Sequence, residues 1–416
     1  MRRLVLAAAL VGTVFLPSPS AAIPTPPPTP VPPYGSPSPF PTALDTPPPD
    51  VTPPRLSAGS AVLVELDSGT ALFDRAGGRR RPVASITKIM TALLVLESAT
   101  PAEEVIASPR AVAEGGAELG LEEGERIPVR ELLYALMLQS ANDAAVALAE
   151  HAAGSVEGFV DGMNEEARAL GLTDTRFASP NGLDDSGYST ARDVAAITVE
   201  AFRSETFAET VRTKFRAIGA PDGSPRRIQN RNALLWLYPD AIGVKTGYTA
   251  AAGFCLVAAA ERDGLRLATV ILGSPEDAFS DAAALLNHGF ATYERRQVAT
   301  LGDPLDPIRV SGRLVTVEAG DFLDVFVRRS DTVNVTVDIR PGLRLPLGRG
   351  QEVGELIATS GGAEVGRAPV LVADSVRLPT PAPRQPEESP WWSRAWDAII
   401  SFFADVFGPV VEEPGL

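Results

Sequence analysis

The chain has 416 residues, of which 45% are hydrophobic, 21% are charged and 38 are proline, with a formal net charge of −15. This length holds more than one domain, and the acidic balance argues against a phosphate-binding surface, so no nucleic acid is expected as a partner. With one cysteine, Cys255, and two histidines, His151 and His288, the chain can form no internal disulfide and shows no metal-ligand cluster. No cofactor or metal is expected.

Arg2 and Arg3 precede an apolar run from Leu4 to Leu16, and Ser20, Ala21 and Ala22 follow. This predicts a secretory signal over 1–22 and export, although an uncleaved anchor stays open. No lipid-attachment cysteine follows. Residues 23–56, rich in Pro, Thr and Ser without apolar period, predict an extended spacer.

The region 57–292 predicts an α+β catalytic domain. It opens with alternation from Ser60 to Leu66, a turn at Asp67-Ser68-Gly69 and a second strand from Ala71 to Asp74. Helical patterns fill most of 86–204. A short strand from Ile242, strands at Phe254–Ala260 and Leu265–Leu272 joined by a turn at Asp263-Gly264, and a helix from Phe279 to Tyr293 complete it. Over 293–378 short alternating strands such as Phe322–Val327 and Val333–Ile339, broken by Gly and Pro, predict a small all-β domain. A proline-rich linker, 379–390, leads to a tail, 391–416. There Trp392, Trp396, Ile399, Phe403 and Phe407 share one helical face, and Arg394, Asp397, Ser401 and Asp405 the other. This predicts a helix lying in a membrane interface; docking on the same protein is the alternative.

Three short segments carry chemistry. Ser85-Ile86-Thr87-Lys88 stands where an apolar stripe from Ile86 to Ala99 predicts a helix start, so Lys88 lies one turn on from Ser85 on the same face. A serine hydroxyl attacks a carbonyl only with a base in reach. Lys88 can be that base if it is neutral, which burial and a second cation such as Lys245 favour. In Ser140-Ala141-Asn142 an apolar helix, Leu132–Leu138, breaks before another resumes. Ser140 can relay a proton, and the Asn142 amide can bind a substrate carbonyl and the lysine. Helix capping explains the same residues. In Lys245-Thr246-Gly247, on a strand, Lys245 and Thr246 can grip a carboxylate, and Gly247 lets a peptide lie close. Each motif alone recurs by chance; their order and local structure carry the reading.

The chain resembles the serine-type D-Ala-D-Ala carboxypeptidases, the low-molecular-mass penicillin-binding proteins of peptidase family S11. The likeness extends over Val83–Thr91, Met137–Ala145, Ser189–Asp193 and Gly243–Thr249, and covers about residues 57–378. It implies an antiparallel sheet flanked by helices with a helical lobe, as in β-lactamases and transpeptidases. It also implies Ser85 as the residue acylated by the penultimate D-alanine, Lys88 as proton acceptor and Ser140 as proton-transfer assistant. Lys245 contacts substrate, and backbone N–H groups of Ser85 and Tyr248 form the oxyanion hole. Asn142, Thr246 and Gly247 complete the substrate set.

The implied substrates are peptidoglycan stem peptides ending in D-Ala-D-Ala, with β-lactams as inhibitors, and the implied role is wall maturation and cell shape at the outer face of the cytoplasmic membrane. D,D-endopeptidase cleavage of cross-links, a non-catalytic peptidoglycan or penicillin binder and a structural wall protein stay open as alternatives. A Ser-His-Asp hydrolase is disfavoured because no serine sits in a G-x-S-x-G elbow. A class A β-lactamase is disfavoured by Ala141, where that family has Asp, and by the lack of a Glu-x-x-Leu-Asn segment. Ser179–Leu183 and Gln229–Asn232 fit family loops around the cleft, although turn and cap roles also explain them.

Overall fold

The computed structural model describes residues 52–275, 277–377 and 391–408. The expected signal segment, nearly all of the spacer and the 379–390 linker lie outside the described residues. The chain divides into two compact units, one ending at Arg295 with Arg328–Ser330 added, the other running from Arg296 to Val327 and from Asp331 onward.

In the first unit β1 (Ser60–Glu65) and β2 (Ala71–Arg75) form a hairpin. A 3-10 turn at Ala84–Thr87 runs directly into α1 (Lys88–Ser98). The short strands β3 (Glu104–Ile106) and β4 (Arg126–Pro128) pair on either side of α2 (Pro109–Val112) and a long loop. Next come α3 (Val129–Tyr134), a π-helical turn at Ala135–Gln139, α4 (Asn142–Ala153), α5 (Val156–Ala169), α6 (Ala191–Ala201) and α7 (Glu205–Arg212). The hairpin β5 (Phe215–Gly219) and β6 (Pro225–Gln229) and the turn α8 (Leu234–Leu237) lead to β7 (Ala241–Thr249), β8 (Gly253–Arg262), β9 (Leu265–Ser274) and α9 (Ala278–Thr292).

The antiparallel sheet has the order β2-β1-β9-β8-β7, so β7 is an edge strand. Asp263 and Gly264 both take positive φ, which is what a two-residue turn between β8 and β9 requires. The alternation expected of a half-exposed β1 is not what the strand shows: every residue from Ser60 to Glu65 is buried. Its polar residues are therefore inside, and the Glu65 carboxylate accepts from the N–H groups of Asp67 and Ser68 to close the hairpin turn.

Small apolar residues make the helical lobe dense. Leu132, Leu136 and Leu138 meet Ala144, Ala145 and Leu148 in one buried cluster that also takes in Ile89, Met90 and Val95 of α1. The β5–β6 hairpin, absent from the helical and strand patterns of the sequence, is tied to the loop before β4 by a bidentate ion pair. Arg226 donates to Glu125 at 2.6 and 2.9 Å with side chains 13% and 4% exposed.

The second unit is all-β apart from its last helix. β11 (Pro304–Val310), β12 (Arg313–Ala319), β14 (Val333–Ile339), β15 (Glu352–Ser360) and β16 (Ala363–Val372) form a sheet of order β11-β12-β16-β15-β14, and β10 (Tyr293–Ala299) pairs with β13 (Leu323–Arg328). Val315, Val317, Val325, Val353 and Val370 fill its core. The final helix, α10 (Trp391–Phe407), exposes Trp391, Trp392, Trp396, Ile399, Ile400, Phe402, Phe403 and Val406. At 100° per residue these span about 180° of its circumference. The apolar face is thus broader than the five residues picked out by the sequence. No helix among the described residues is long and apolar enough to cross a membrane.

Removing one partner of the Arg226–Glu125 pair leaves a shielded charge. Glu125→Ala is expected to cost about 3 kcal/mol of stability, read as a lower urea midpoint, with Glu125→Gln intermediate.

Candidate active site

The 3-10 turn that opens α1 is a consequence of strain at its first residue. Ala84 holds a left-handed φ of +49°, and Val83 before it sits near the bridge region, so the chain enters the helix abruptly and leaves Ser85 at the rim. Two close approaches hold it there. A Cβ on Gly247 would lie 3.1 Å from the Ser85 nitrogen, tighter than an ordinary contact, so glycine lets β7 pass this near without a shift. A Cβ on Gly182, whose φ is +77°, would stand 2.0 Å from the Ala84 oxygen.

Lys88 follows as the first residue of α1 and is fully buried. Its amine lies 2.9 Å from Ser85 Oγ, 2.8 Å from Asn142 Oδ1 and 2.8 Å from the Asn181 carbonyl oxygen. Asn142 Nδ2 donates to the Gly115 carbonyl at 2.8 Å, which fixes the amide with its oxygen toward the lysine. Two of the three neighbours of the amine can therefore only accept. In its neutral form the amine has two N–H donors for them and one lone pair left to accept from the Ser85 hydroxyl.

Electrostatics favour that state. Burial first, then the nearby charges of Lys245 and Arg231, hold the Lys88 amine well below its ordinary value, against an opposing pull from Glu114 and Asp143. Lys245, on β7, is also fully buried and donates to the Thr246 carbonyl at 2.8 Å. Burial and then Arg231 bring its pKa down to about 7. Arg231 is exposed and has no acidic partner among the described residues, and its own N–H donates to the Leu138 carbonyl.

Ser140 ends the π-helical turn in a left-handed conformation, φ +66°. Capping does not explain it or Asn142, because the residue at the N-cap of α4 is Ala141 and no side chain caps the helix. Asn142 is the first helical residue, and its side chain turns back to Lys88. Asp143 does not stand at the N-cap, but its carboxylate accepts from the Ala144 N–H in the first turn of α4 as well as from the N–H groups of Leu119, Gly120 and Leu121, so it ties that loop to the start of the helix. The Ser140 hydroxyl bonds to none of the described residues.

The structure thus brings Ser85, Lys88 and Asn142 into one hydrogen-bonded set, lays Gly247 against Ser85, and puts Lys245 close enough to bias Lys88. Thr246 and Tyr248 lie on either side of Gly247 along the open edge of β7, with the Tyr248 ring exposed and tilted against Phe254 at 4.8 Å. No group of three or more metal-ligating side chains occurs among the described residues. His151 lies 3.3 Å from Glu103 on the surface, and Cys255 is buried with its thiol pushed up to about 11, so neither joins this set.

The model of the D-alanyl-D-alanine carboxypeptidase family, peptidase S11, matches residues 48–276, more than half of the chain. The chain belongs to that family. Its relatives include the D-alanyl-D-alanine carboxypeptidase DacF of Bacillus subtilis, 30% identical over 77% of this chain and 86% of DacF. Among solved structures, penicillin-binding protein 5 from Haemophilus influenzae is 29% identical and covers 79% of this chain and 100% of its own, with a TM-score of 0.60. The Streptomyces K15 DD-transpeptidase is 37% identical over 58% of this chain and 100% of its own, with a TM-score of 0.55.

The family motifs do not announce every group at the site. The third contact of Lys88 is the carbonyl of Asn181, in a loop whose sequence reads equally well as a turn. Thr91, one turn after Lys88, donates to the preceding carbonyl, Pro180, at 2.6 Å, so α1 grips two successive carbonyls of that loop. The motif Ser179-Pro180-Asn181-Gly182-Leu183 was the available signal, and Arg231 stood in the second such loop.

Lys245 yields a stability test. Folded, it releases its proton near pH 7, whereas the unfolded chain keeps it to about 10.5, so between these values the unfolded state binds more protons and stability rises with pH. Relative to Lys245→Met, the wild type is expected to gain on the order of 2 kcal/mol between pH 7 and 9 in urea unfolding.

Proposed function

We infer that this serine peptidase removes the terminal D-alanine from peptidoglycan stem peptides ending in D-Ala-D-Ala, with Ser85 as nucleophile and Lys88 as base. The observation that carries the reading is the Lys88 amine 2.9 Å from Ser85 Oγ, with Asn142 Oδ1 and the Asn181 carbonyl placed to accept its N–H groups.

The peptide adds along the open edge of β7, where Gly247 gives it room, and its terminal carboxylate is met by Lys245 and the Thr246 hydroxyl. Ser85 Oγ attacks the carbonyl carbon of the penultimate D-alanine while its proton passes to Lys88. The oxyanion faces the N–H groups of Ser85 and Tyr248. Collapse breaks the peptide C–N bond, and the proton held by Lys88 reaches the departing amine through the Ser140 hydroxyl. Water then attacks the ester carbonyl, giving a proton to Lys88; the bond to Ser85 Oγ breaks, and Lys88 hands that proton to the released Ser85 oxygen. Asn142 keeps Lys88 in place and has a second amide proton, beyond the one on Gly115, for the substrate carbonyl. A β-lactam enters by the same first step and acylates Ser85.

Family membership places the work in the wall region; the finer location is our proposal. The apolar half of α10, with three tryptophans exposed, fits a helix lying in the headgroup layer, so the enzyme is held at the outer face of the cytoplasmic membrane.

Two tests follow. With labelled penicillin and a pentapeptide, Ser85→Ala is expected to give neither adduct nor D-alanine, and Lys88→Ala to slow acylation by about 100-fold or more; full acylation by Lys88→Ala would remove the lysine from the mechanism. Deleting residues 391–416 is expected to release active enzyme from the membrane fraction, and a truncated, signal-cleaved protein that stayed there would disprove the anchor.

A further inference from the structure

Asn181 delivers a backbone carbonyl to Lys88, and something must hold that carbonyl still. Its side chain is 2% exposed and fully engaged: Oδ1 accepts from the Leu183 N–H at 3.0 Å, and Nδ2 donates to Glu114 Oε1 at 2.7 Å. Glu114 is half-buried in the loop after α2 and comes from a different part of the chain.

That loop does not need Glu114 for its own shape. Asn142 Nδ2 donates to Gly115, the Asn142 N–H to the Ala117 carbonyl, and Gln139 Nε2 to the Glu118 carbonyl. Nor can the Asn181 segment adjust freely, because Gly182 is left-handed and packed against Ala84 with no room for a Cβ. The Glu114 carboxylate therefore has one evident task outside its loop, which is to pin the Asn181 side chain.

We propose that Glu114 is a positioning residue that, through its hydrogen bond to the Asn181 side chain, fixes the Asn181 carbonyl on Lys88 and keeps a negative charge on that side of the amine. The inference rests on Lys88 acting as the base. Lys88 is faced by Lys245 on β7 and Arg231 in the loop after β6, both disfavouring its proton, and by Glu114 and by Asp143 on α4, both favouring it. Ser85, Asn142 and Asn181 supply its neutral contacts. Glu114 differs from Asp143, which is committed to four N–H groups, those of Leu119, Gly120, Leu121 and Ala144, in that its charge can be removed while its single hydrogen bond to Asn181 is kept.

The test is the pH dependence of acylation by labelled penicillin for the full chain, Glu114→Gln and Glu114→Ala, with Lys88→Ala in parallel and melting curves for each. Glutamine still accepts from Asn181 Nδ2 but carries no charge, so its plateau rate is expected within about 3-fold of wild type and its acidic limb at lower pH. Alanine frees Asn181, so its plateau is expected to fall about 10-fold or more. A Glu114→Gln profile that superimposes on wild type, or a folded Glu114→Ala variant within 2-fold of the wild-type plateau, overturns the proposal. If Glu114→Ala does not fold, the glutamine profile decides alone. Full acylation by Lys88→Ala would instead strike the base assignment, which separates the two failures.

Discussion

An amine that is to take a proton from serine must arrive without one, and in water a lysine is charged. Removing Lys88 from water supplies most of the remedy, because solvation is what sustains an ammonium. Burial alone would leave a reactive amine with unsatisfied protons. Two fixed acceptors, Asn142 Oδ1 and the Asn181 carbonyl, satisfy them and orient the lone pair on Ser85. The rest of the first unit can be understood as the scaffold of this one nitrogen: α1 brings it in, the break before α4 brings Asn142, a loop clamped by Thr91 brings Asn181, and β7 brings a second cation.

The site is built from backbone that L-residues avoid. Ala84 and Ser140, neither of them glycine, are both left-handed, and each such residue costs on the order of 1 kcal/mol or more. A π-helical turn precedes Ser140. Such turns cluster where a helix must be interrupted for function. The helices around these points offset the cost with close packing of Leu and Ala, and α4 in particular is buried along most of its length.

Side chains were easier to read from the sequence than carbonyls. Ser85, the lysines and Asn142 stand in short motifs at helix and strand ends that periodicity could locate, and the main strands fall within a residue or two of expectation. The loops of Asn181 and Arg231 were legible but their roles were not: Asn181 contributes a main-chain oxygen, which every residue has, and only the fold says which one is aimed. The influence of Arg231, and the whole part of Glu114, stayed hidden because both act across loops that share no sequence neighbourhood. The strand β1 misled for a different reason: alternation signals one wet face, but here Ser60 and Glu65 are internal and bonded within the sheet end, a pattern that looks the same in a single sequence. The β5–β6 hairpin, held by the Arg226–Glu125 pair, had no apolar period to announce it.

The two lysines also divide the electrostatic work. Lys245, poised near 7, is in the range where a small change of surroundings decides its charge. In the proposed reaction the substrate brings such a change, because its terminal carboxylate comes to rest beside Lys245 and draws a proton onto it. The carboxylate and the proton it draws onto Lys245 form a neutral pair, so the ligand adds no net charge beside Lys88 and leaves that amine to the burial that keeps it neutral. An amidated or blocked terminus supplies no anion and leaves Lys245 without this partner. Selectivity for a free carboxylate then arises in binding, from one contact, without a separate recognition pocket.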